Sequence, residues 1–439
     1  MNIKTLSLTN YRMFSELKID FDPQCTLIIG KNGAGKSSVL EAVALAVSTL
    51  FYKLDGVSKP GFKKTDARRK YFPLGIDEDV QYQYPVHVGA TASINGQDIA
   101  WTRSLNSSTG SITIVDAKEM TSMSEAYQQR LQKGDKELIL PILSYYGTGR
   151  LWDYHREKRD NAFKYNTRTN GYINCLDGTA NIKLMMSWFK KMTIEKYQQQ
   201  ELGKKEEPIL DTVYRAMAKC MEYFSGYKDA KILYNLNVNE LDVYYTNENG
   251  AYVKIPLSLM SDGYKEIISI VADIAYRMAV MNPQLSENIL TETDGIVMID
   301  EIDLHLHPAW QQRVIESLTS IFPKVQFILT THAPSVIGSV SSKNLRILEN
   351  KTVKETINQT YGKDVNSILC EIMGADKRTK QLSDLFAAFY SLMDEGEYDA
   401  AEAKLDEIAK IRDYHDQEVA QCRVKLKLER EALKEQILK

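Results

Sequence analysis

At 439 residues, 44% hydrophobic and 26% charged, the chain is long enough for two or three domains with cores of their own, and its composition is ordinary for a globular protein. The formal net charge of −3 excludes an overall basic field, so any nucleic-acid contact needs a local groove of cations. Cys25, Cys175, Cys220, Cys370 and Cys422 are scattered without a CxxC pair, which argues against a disulfide framework or a cysteine zinc site and fits a reducing cytosol.

In chain order, MNIKTLSLTNYRMF lacks the apolar centre of a signal peptide. Ile3, Leu6 and Leu8, then Leu17, Ile19 and Phe21, alternate as two antiparallel strands. Thr26 to Ile29 is a short apolar run suited to a buried strand, and it leads through GKNGAGKSS into the helical pattern SVLEAVALAVSTLF. Residues 52–80, with Lys63, Lys64, Arg68, Arg69 and Lys70, are expected to form a polar surface loop. Residues 86–115 alternate again around an Asn95-Gly96 hairpin turn, and 138–147 reads as a further buried strand. From about Leu151 to Tyr227 the pattern is helical; 231–255 returns to strands with a turn at Asn247–Gly250. Ile267, Ile270, Val271, Ile274 and Met278 share one face of a helix over 264–280. GIVMIDE and VQFILTTH are apolar strands with a helix over 308–321 between them, the order of a parallel sheet. The tail from about 380 is helical and charged, with Gly396 separating two helices. The longest apolar stretches, such as Leu40 to Phe51, fall short of the roughly 20 residues that cross a bilayer, so no membrane contact is expected and the chain is read as cytoplasmic.

Gly30 to Ser37 fits G-x-x-x-x-G-K-[ST], between a strand and a helix. Glycines let successive backbone N–H groups turn toward phosphates, and the helix N-terminus adds a favourable dipole. Asn32, Gly33, Gly35, Lys36, Ser37 and Ser38 are therefore the expected ATP contacts, with Lys36 on the β- and γ-phosphates and the Ser37 hydroxyl on Mg²⁺. Ile296 to Glu301 is an apolar strand ending in two acids, which delivers Asp300 to the Mg²⁺ shell and Glu301 to the attacking water as general base.

Four further segments stand around these two. Leu259-Met260-Ser261-Asp262-Gly263-Tyr264-Lys265 precedes the amphipathic helix, Thr330-Thr331-His332-Ala333-Pro334 closes an apolar strand, Asp303-Leu304-His305-Leu306-His307-Pro308 follows Glu301, and Asn10-Tyr11-Arg12 sits between the first two strands. Together the motifs resemble ABC-type ATPases of the RecF, SMC and OLD kind. The implied fold is α/β: a P-loop ATPase head with a mixed sheet, an antiparallel β lobe, a helical insertion and a helical C-terminal region. The expected divisions are 1–150, 151–235, 236–355 and 356–439, the last for a partner or for oligomerisation. The insertion lacks the sustained heptads of coiled-coil members.

The resemblance makes Ser261 and Gly263 the signature that completes the ATP site of a second copy, His332 the switch histidine at the γ-phosphate, and Asp303 the acid of the D-loop. It places Tyr11 and Arg12 against the base. The competing readings are a plain helix N-cap at Ser261 or Asp262, a structural histidine, and an ordinary strand turn. His305 and His307 invite a metal reading, rejected because no third ligand stands near in sequence. A recognisable glutamine loop is missing, and Tyr145-Tyr146-Gly147-Thr148-Gly149-Arg150 occupies that region.

YYGTGRLW, LSLMSDG, EIDLHLHP, TTHAP and Tyr361-Gly362-Lys363-Asp364-Val365-Asn366 together look like the bacterial ATP-binding proteins that include PtuA, the ATPase of the Septu antiphage system and of some retron systems. That resemblance implies a homodimer formed through an ATP sandwich, with room for a higher oligomer, and a separate HNH nuclease partner of the PtuB kind. DNA would be reached directly or through the nuclease. The alternative is a RecF-like DNA-repair clamp, and a transporter subunit is a third reading weakened by the long insertion. The basic cluster 63–70 would serve DNA only if aligned with cations such as Lys190, Lys191, Lys204 and Lys205. The apolar faces of the tail helices (Leu382, Leu385, Phe386, Phe389, Leu392) either dock a partner or pack within the chain.

Overall fold

The computed structural model describes residues 1–437 except 75, 76, 109, 111, 114, 150–166, 179–181, 204–207, 248, 357, 376 and 377. Arg150, the Leu151-Trp152 end of YYGTGRLW, the start of the expected insertion, Lys204 and Lys205 lie outside the described residues. The chain divides into two compact units, Met1–Asp364 and Val365–Lys439.

The first unit opens with β1 (Asn2–Tyr11) and β2 (Phe14–Asp20), a hairpin whose two-residue turn is Arg12-Met13. β3 (Cys25–Gly30) leads through the P-loop into α1 (Lys36–Val47). β4 (Arg68–Leu74) and β5 (Asp77–Gln83) form a two-stranded hairpin where the sequence pattern pointed to an irregular loop. The period-2 signal was lost because neither face is buried, so both carry charged and apolar residues. β6 (Val86–Ile94) and β7 (Gln97–Leu105) flank the Asn95-Gly96 turn, where both residues have positive φ, 51° and 79°. β8 (Ile112–Thr113) pairs with β7, and α2 (Lys118–Gln132) follows. β9 (Ile142–Tyr146) is shorter than its apolar run, beginning only after Pro141. α3 (Ile182–Glu201) and α4 (Ile209–Ser225) lead to β10 (Lys228–Asn235), β11 (Glu240–Thr246) and β12 (Tyr252–Pro256), an antiparallel sheet of three.

α5 (Asp262–Met281) and the short α6 (Ile289–Glu292) precede β13 (Gly295–Ile299). The expected helix over 308–321 is two pieces, α7 (Pro308–Gln311) and α8 (Val314–Ile321). β14 (Val325–Thr330), α9 (Pro334–Ile337), β15 (Leu345–Glu349) and β16 (Thr352–Lys354) complete the sheet. Its strand order is β16-β15-β3-β14-β13-β9, parallel except for β16. β3, β9, β13 and β14 are buried along nearly their whole length, as parallel strands covered on both faces must be.

α1 packs on both this sheet and the antiparallel sheet β2-β1-β6-β7-β8, so it is apolar almost all round. Its C-terminal carbonyls are satisfied from β7: Trp101 Nε1 donates to Ala46 O (3.0 Å) and the buried Arg103 guanidinium to Leu45 O (2.7 Å), a cation at the negative end of the helix dipole.

The second unit holds α10 (Val365–Glu371), α11 (Lys380–Asp394), α12 (Tyr398–Arg412) and α13 (Gln417–Ile437). Gly396, with φ 75°, makes the turn between α11 and α12. Phe386, Phe389 and Met393 meet Leu405, Ile408, Val419 and Leu426 in a core of the unit's own, with Leu382, Leu385 and Leu392 packed partly against it. The apolar faces of the tail helices therefore cover one another.

Candidate functional site at the carboxyl edge of the parallel sheet

Parallel pairing sets the site. β13 runs beside β14 in a register that puts Ile299 next to Leu329, so Asp300, just past the end of β13, stands beside Thr330, the last residue of β14. The Thr330 hydroxyl donates to Asp300 Oδ1 (2.5 Å) and accepts from the Glu301 backbone N–H (2.7 Å). One hydroxyl thus aims the first acid and anchors the start of the second. Asp300 is buried, and its own N–H bonds the Tyr146 carbonyl of β9 (2.8 Å). Glu301 sits at φ 49°, a left-handed conformation costly for a side chain of this kind and held by the bonds on either side of it. Thr331 donates to Asp303 Oδ1 and accepts from Ala333 N–H (3.0 Å), tying the loop after β13 to the loop after β14 that bears His332.

The P-loop meets this edge from β3. Gly33 and Gly35 take φ of 77° and 99°. At Gly35 the need is double, because an added Cβ would lie 2.5 Å from Phe14 Cζ and 2.6 Å from Met13 Sδ. Lys36 is 7% exposed, and its Nζ donates to Gly30 O (3.0 Å) and Lys31 O (3.4 Å), main-chain acceptors of the loop. Burial lowers its pKa, while the fields of Asp300, Glu301 and Asp303 oppose the fall. His332, half-buried, has its pKa lowered by burial and next by the Lys36 charge, against the same three acids. Lys36, Asp300, Glu301, Asp303 and His332 thus share one electrostatic neighbourhood.

A cavity of about 560 Å³ opens beside it, lined by Ser37, Asp300, Tyr11, Arg12, Glu41 and Lys63 among others, and also by Gly147 to Gly149 and Asp177 to Gly178. Arg12, at φ 51° in the β1–β2 turn, donates Nε to Asp66 Oδ1 (3.0 Å) and pairs with Glu41 of α1. Burial works against its charge, but Glu41 and Asp66 carry its pKa above the ordinary value. Tyr11 is buried, its phenol pKa raised by that burial and by Asp66. Glu41, Asp66, Lys63 and Thr330 went unremarked as site residues in the sequence. Glu41 lay inside the quoted helical pattern and Lys63 in the basic cluster, while Thr330 lay inside the TTHAP motif, where its signal was the hydroxyl at a strand end facing an acid.

Ser261 and Gly263 stand apart from this cavity. Ser261 occupies the N-cap position of α5, yet its exposed side chain makes no capping bond, and Asp262 pairs instead with Lys265 (2.6 Å). Gly263 packs so closely on the following loop that an added Cβ would lie 2.7 Å from the His305 carbonyl. His307 has a local role: its Nδ1 accepts from Ala309 N–H (3.3 Å) and caps α7. The middle of α5 is tied to the sheet: buried Asp273 accepts from Tyr146 Oη (2.7 Å) and Arg277 Nε (2.6 Å), and Arg277 also donates to the Gly171 and Ile173 carbonyls (2.9 Å each).

A protein-family model described as AAA domain matches residues 5–224, half of the chain, and a second AAA-domain model, whose description also names the AbiEii toxin of type IV toxin–antitoxin systems, matches 128–338. The chain is 27% identical to the retron Vc95 probable ATPase of Vibrio cholerae serotype O1 biovar El Tor, over 94% of this chain and 87% of that protein. It is 27% identical to the retron Ec83 probable ATPase of Escherichia coli, over 80% and 72%. It is 26% identical to the Septu protein PtuA of Bacillus mycoides strain KBAB4, over 89% and 47%.

Proposed function

This chain belongs to the family described as AAA domain, and we propose that it is an ATPase that closes on ATP as a head-to-tail pair and thereby controls a separate nuclease. The observation that carries the nucleotide reading is the meeting, at one sheet edge, of a buried P-loop lysine, two strand-end acids and a half-buried histidine.

The residues fit ATP and a divalent cation. Lys36 rests on main-chain carbonyls that phosphate oxygens can replace. Ser37 and Asp300 are hard oxygen donors that line the same cavity and would hold Mg²⁺, which supplies neutralising charge to the phosphates. Thr330 holds the Asp300 carboxylate in place, so no reorientation is needed on binding. Glu301 polarises the attacking water. His332 is uncharged near neutrality and donates a hydrogen bond to the γ-phosphate without adding a second cation beside Lys36. Tyr11 and Arg12 border the base, with Asn32, Gly33, Gly35 and Ser38 along the phosphates, and Asp303 faces the dimer partner.

Ser261 and Gly263 complete the site of the second copy. The Ser261 hydroxyl makes no capping bond to α5, and the N-terminus of this helix is suited to an anion. Glu301→Gln tests the whole scheme. It should leave ATP bound, lower turnover by about 10²- to 10⁴-fold and accumulate an ATP-dependent dimer in sedimentation velocity. Turnover at the wild-type rate would remove Glu301 from its role.

The names of the retron and Septu relatives support a place in defence against phage, with an HNH nuclease of the PtuB kind as the controlled partner. Co-purification of the full chain with the product of a neighbouring nuclease gene, and release of that product by ATP depletion or turnover, are the expected results. A chain that binds no nuclease but binds DNA with steep salt dependence would favour the repair-clamp reading instead.

A further inference from the structure

The β4–β5 ribbon pairs with no other strand among the described residues, and both its faces are open. Isolated two-stranded ribbons are marginal in water, and this one exposes Tyr71 (54%), Val80 (39%) and Tyr82 (43%) on one face, with Phe72 and Leu74 on the other. Its register sorts the charges by height. The root rows pair Arg68 with Gln83, Arg69 with Tyr82 and Lys70 with Gln81, and the outer rows pair Phe72 with Asp79, Pro73 with Glu78 and Leu74 with Asp77. The root is therefore basic, the outer end acidic, and the Tyr71–Val80 row lies midway between them. The Arg69 row and the Glu78 row are about 13 Å apart, with the Tyr71–Val80 row halfway between.

This order disfavours the DNA reading of the basic cluster. Arg69 lies over the Tyr82 ring (5.4 Å) and Lys70 over Phe72 (4.9 Å), while three acids would face any phosphate backbone that the ribbon entered. Addition of a strand at the edge is disfavoured as well, by Pro73 in β4 and by the run of acids in β5.

We infer that the ribbon is a self-association arm, and that its occupant is the ribbon of a second copy of this chain, stacked face to face and antiparallel about the Tyr71–Val80 row. In that arrangement the Arg69–Tyr82 row of each copy lies over the Pro73–Glu78 row of the other, with Arg69 diagonal to Glu78, and Tyr71 and Val80 of both copies form an apolar centre with an ionic rim. The same antiparallel order would pair basic root with acidic outer end on either face, which makes the charge pattern self-complementary about a two-fold axis. One ribbon face is far smaller than the roughly 800 Å² per partner of a standard interface, so the contact is weak alone and gains strength where several arms act together. The inference does not depend on the nucleotide reading.

Chemical cross-linking of the full chain tests it. In a Cys370→Ser background the remaining cysteines are buried, and Tyr71→Cys, next to the proposed axis, should give a covalent dimer with a bismaleimide whose spacer spans the roughly 10 Å between stacked faces. Tyr252→Cys, on another sheet and 68% exposed, should not. Adding Glu78→Arg should lower Tyr71→Cys trapping by about tenfold, because a like-charge pair forms at both ends. Adding Arg69→Glu to that chain should restore it. Equal trapping at the two cysteine positions, or failure of the charge swap to restore the dimer, overturns the inference.

Discussion

The carboxyl edge of the parallel sheet and the C-terminal helical unit are built by opposite means. At the sheet edge each side chain has an assigned direction: Thr330 serves two neighbours, Lys36 sits on two carbonyls, and Gly35 fits a space with no room for a Cβ. In the C-terminal unit the side chains need only be apolar and of suitable volume, because Phe386, Phe389, Leu405 and Ile408 meet without a buried polar partner to satisfy. Chemistry demands directed contacts, and cohesion demands filled space. The two regions should therefore fail in different ways.

Lys36→Ala should give the largest effect, at least about a hundredfold loss of ATP affinity with little change in folding, since it deletes the buried P-loop cation that the proposal sets against the phosphates. Near-normal affinity in a titration would sink the P-loop assignment. Phe389→Ala should do the reverse. It opens a cavity in a core where the ring is fully buried, costing about 3–5 kcal/mol of the unit's stability, and hydrogen exchange should show α11 to α13 loosened while ATP affinity is retained. Parallel losses of both properties would show that the two regions are not independent. Thr330→Val should cost about 1–3 kcal/mol, seen as weaker Mg²⁺-dependent ATP binding, because it removes the hydroxyl from between Asp300 and Glu301 while preserving shape.

The smallest effect concerns acid. The folded-state pKa of His332 lies below its unfolded value near 6.5, first through burial and then through Lys36. The stability it contributes is whole above that unfolded value and is lost as pH falls through the lower folded value. Between pH 7 and pH 5 the wild type should lose stability slightly more steeply than His332→Gln in denaturant titrations. Identical slopes would detach the histidine from the Lys36 neighbourhood.

These two regions also differed in how far they could be read from sequence. The P-loop, the Asp300-Glu301 strand end and the TTH strand end are local patterns, and each needs only its own neighbours to be recognised. What escaped notice depends on distant pairing. Thr330 acquires its partner only because β13 and β14 lie side by side, and Arg12 acquires Asp66 and Glu41 only because the β1–β2 turn closes on α1. The β4–β5 ribbon escaped for another reason. A strand with two open faces has no burial rhythm to betray it, and Pro73 within it reads as a break. In the tail, an amphipathic pattern shows that a face will be covered but not by what, and it is the core shared by α11, α12 and α13 that takes up Phe386 and Phe389.

The Tyr146–Asp273–Arg277 cluster beneath α5 bears on heredity. Arg277 and Asp273 are each 1% exposed and bonded to each other, with the tyrosine on the same carboxylate oxygen. Replacing either charged residue alone strands the other in the interior at about 3–5 kcal/mol, a large part of the roughly 5–15 kcal/mol that holds a domain folded. An apolar trio of similar volume would avoid the buried charges but would also take the Arg277 donor from the Gly171 and Ile173 carbonyls, and single substitutions reach it only through a sharply destabilised ancestor. Once a lineage has acquired this pair it is held there by the valley around it, and descendants should keep or lose both residues together.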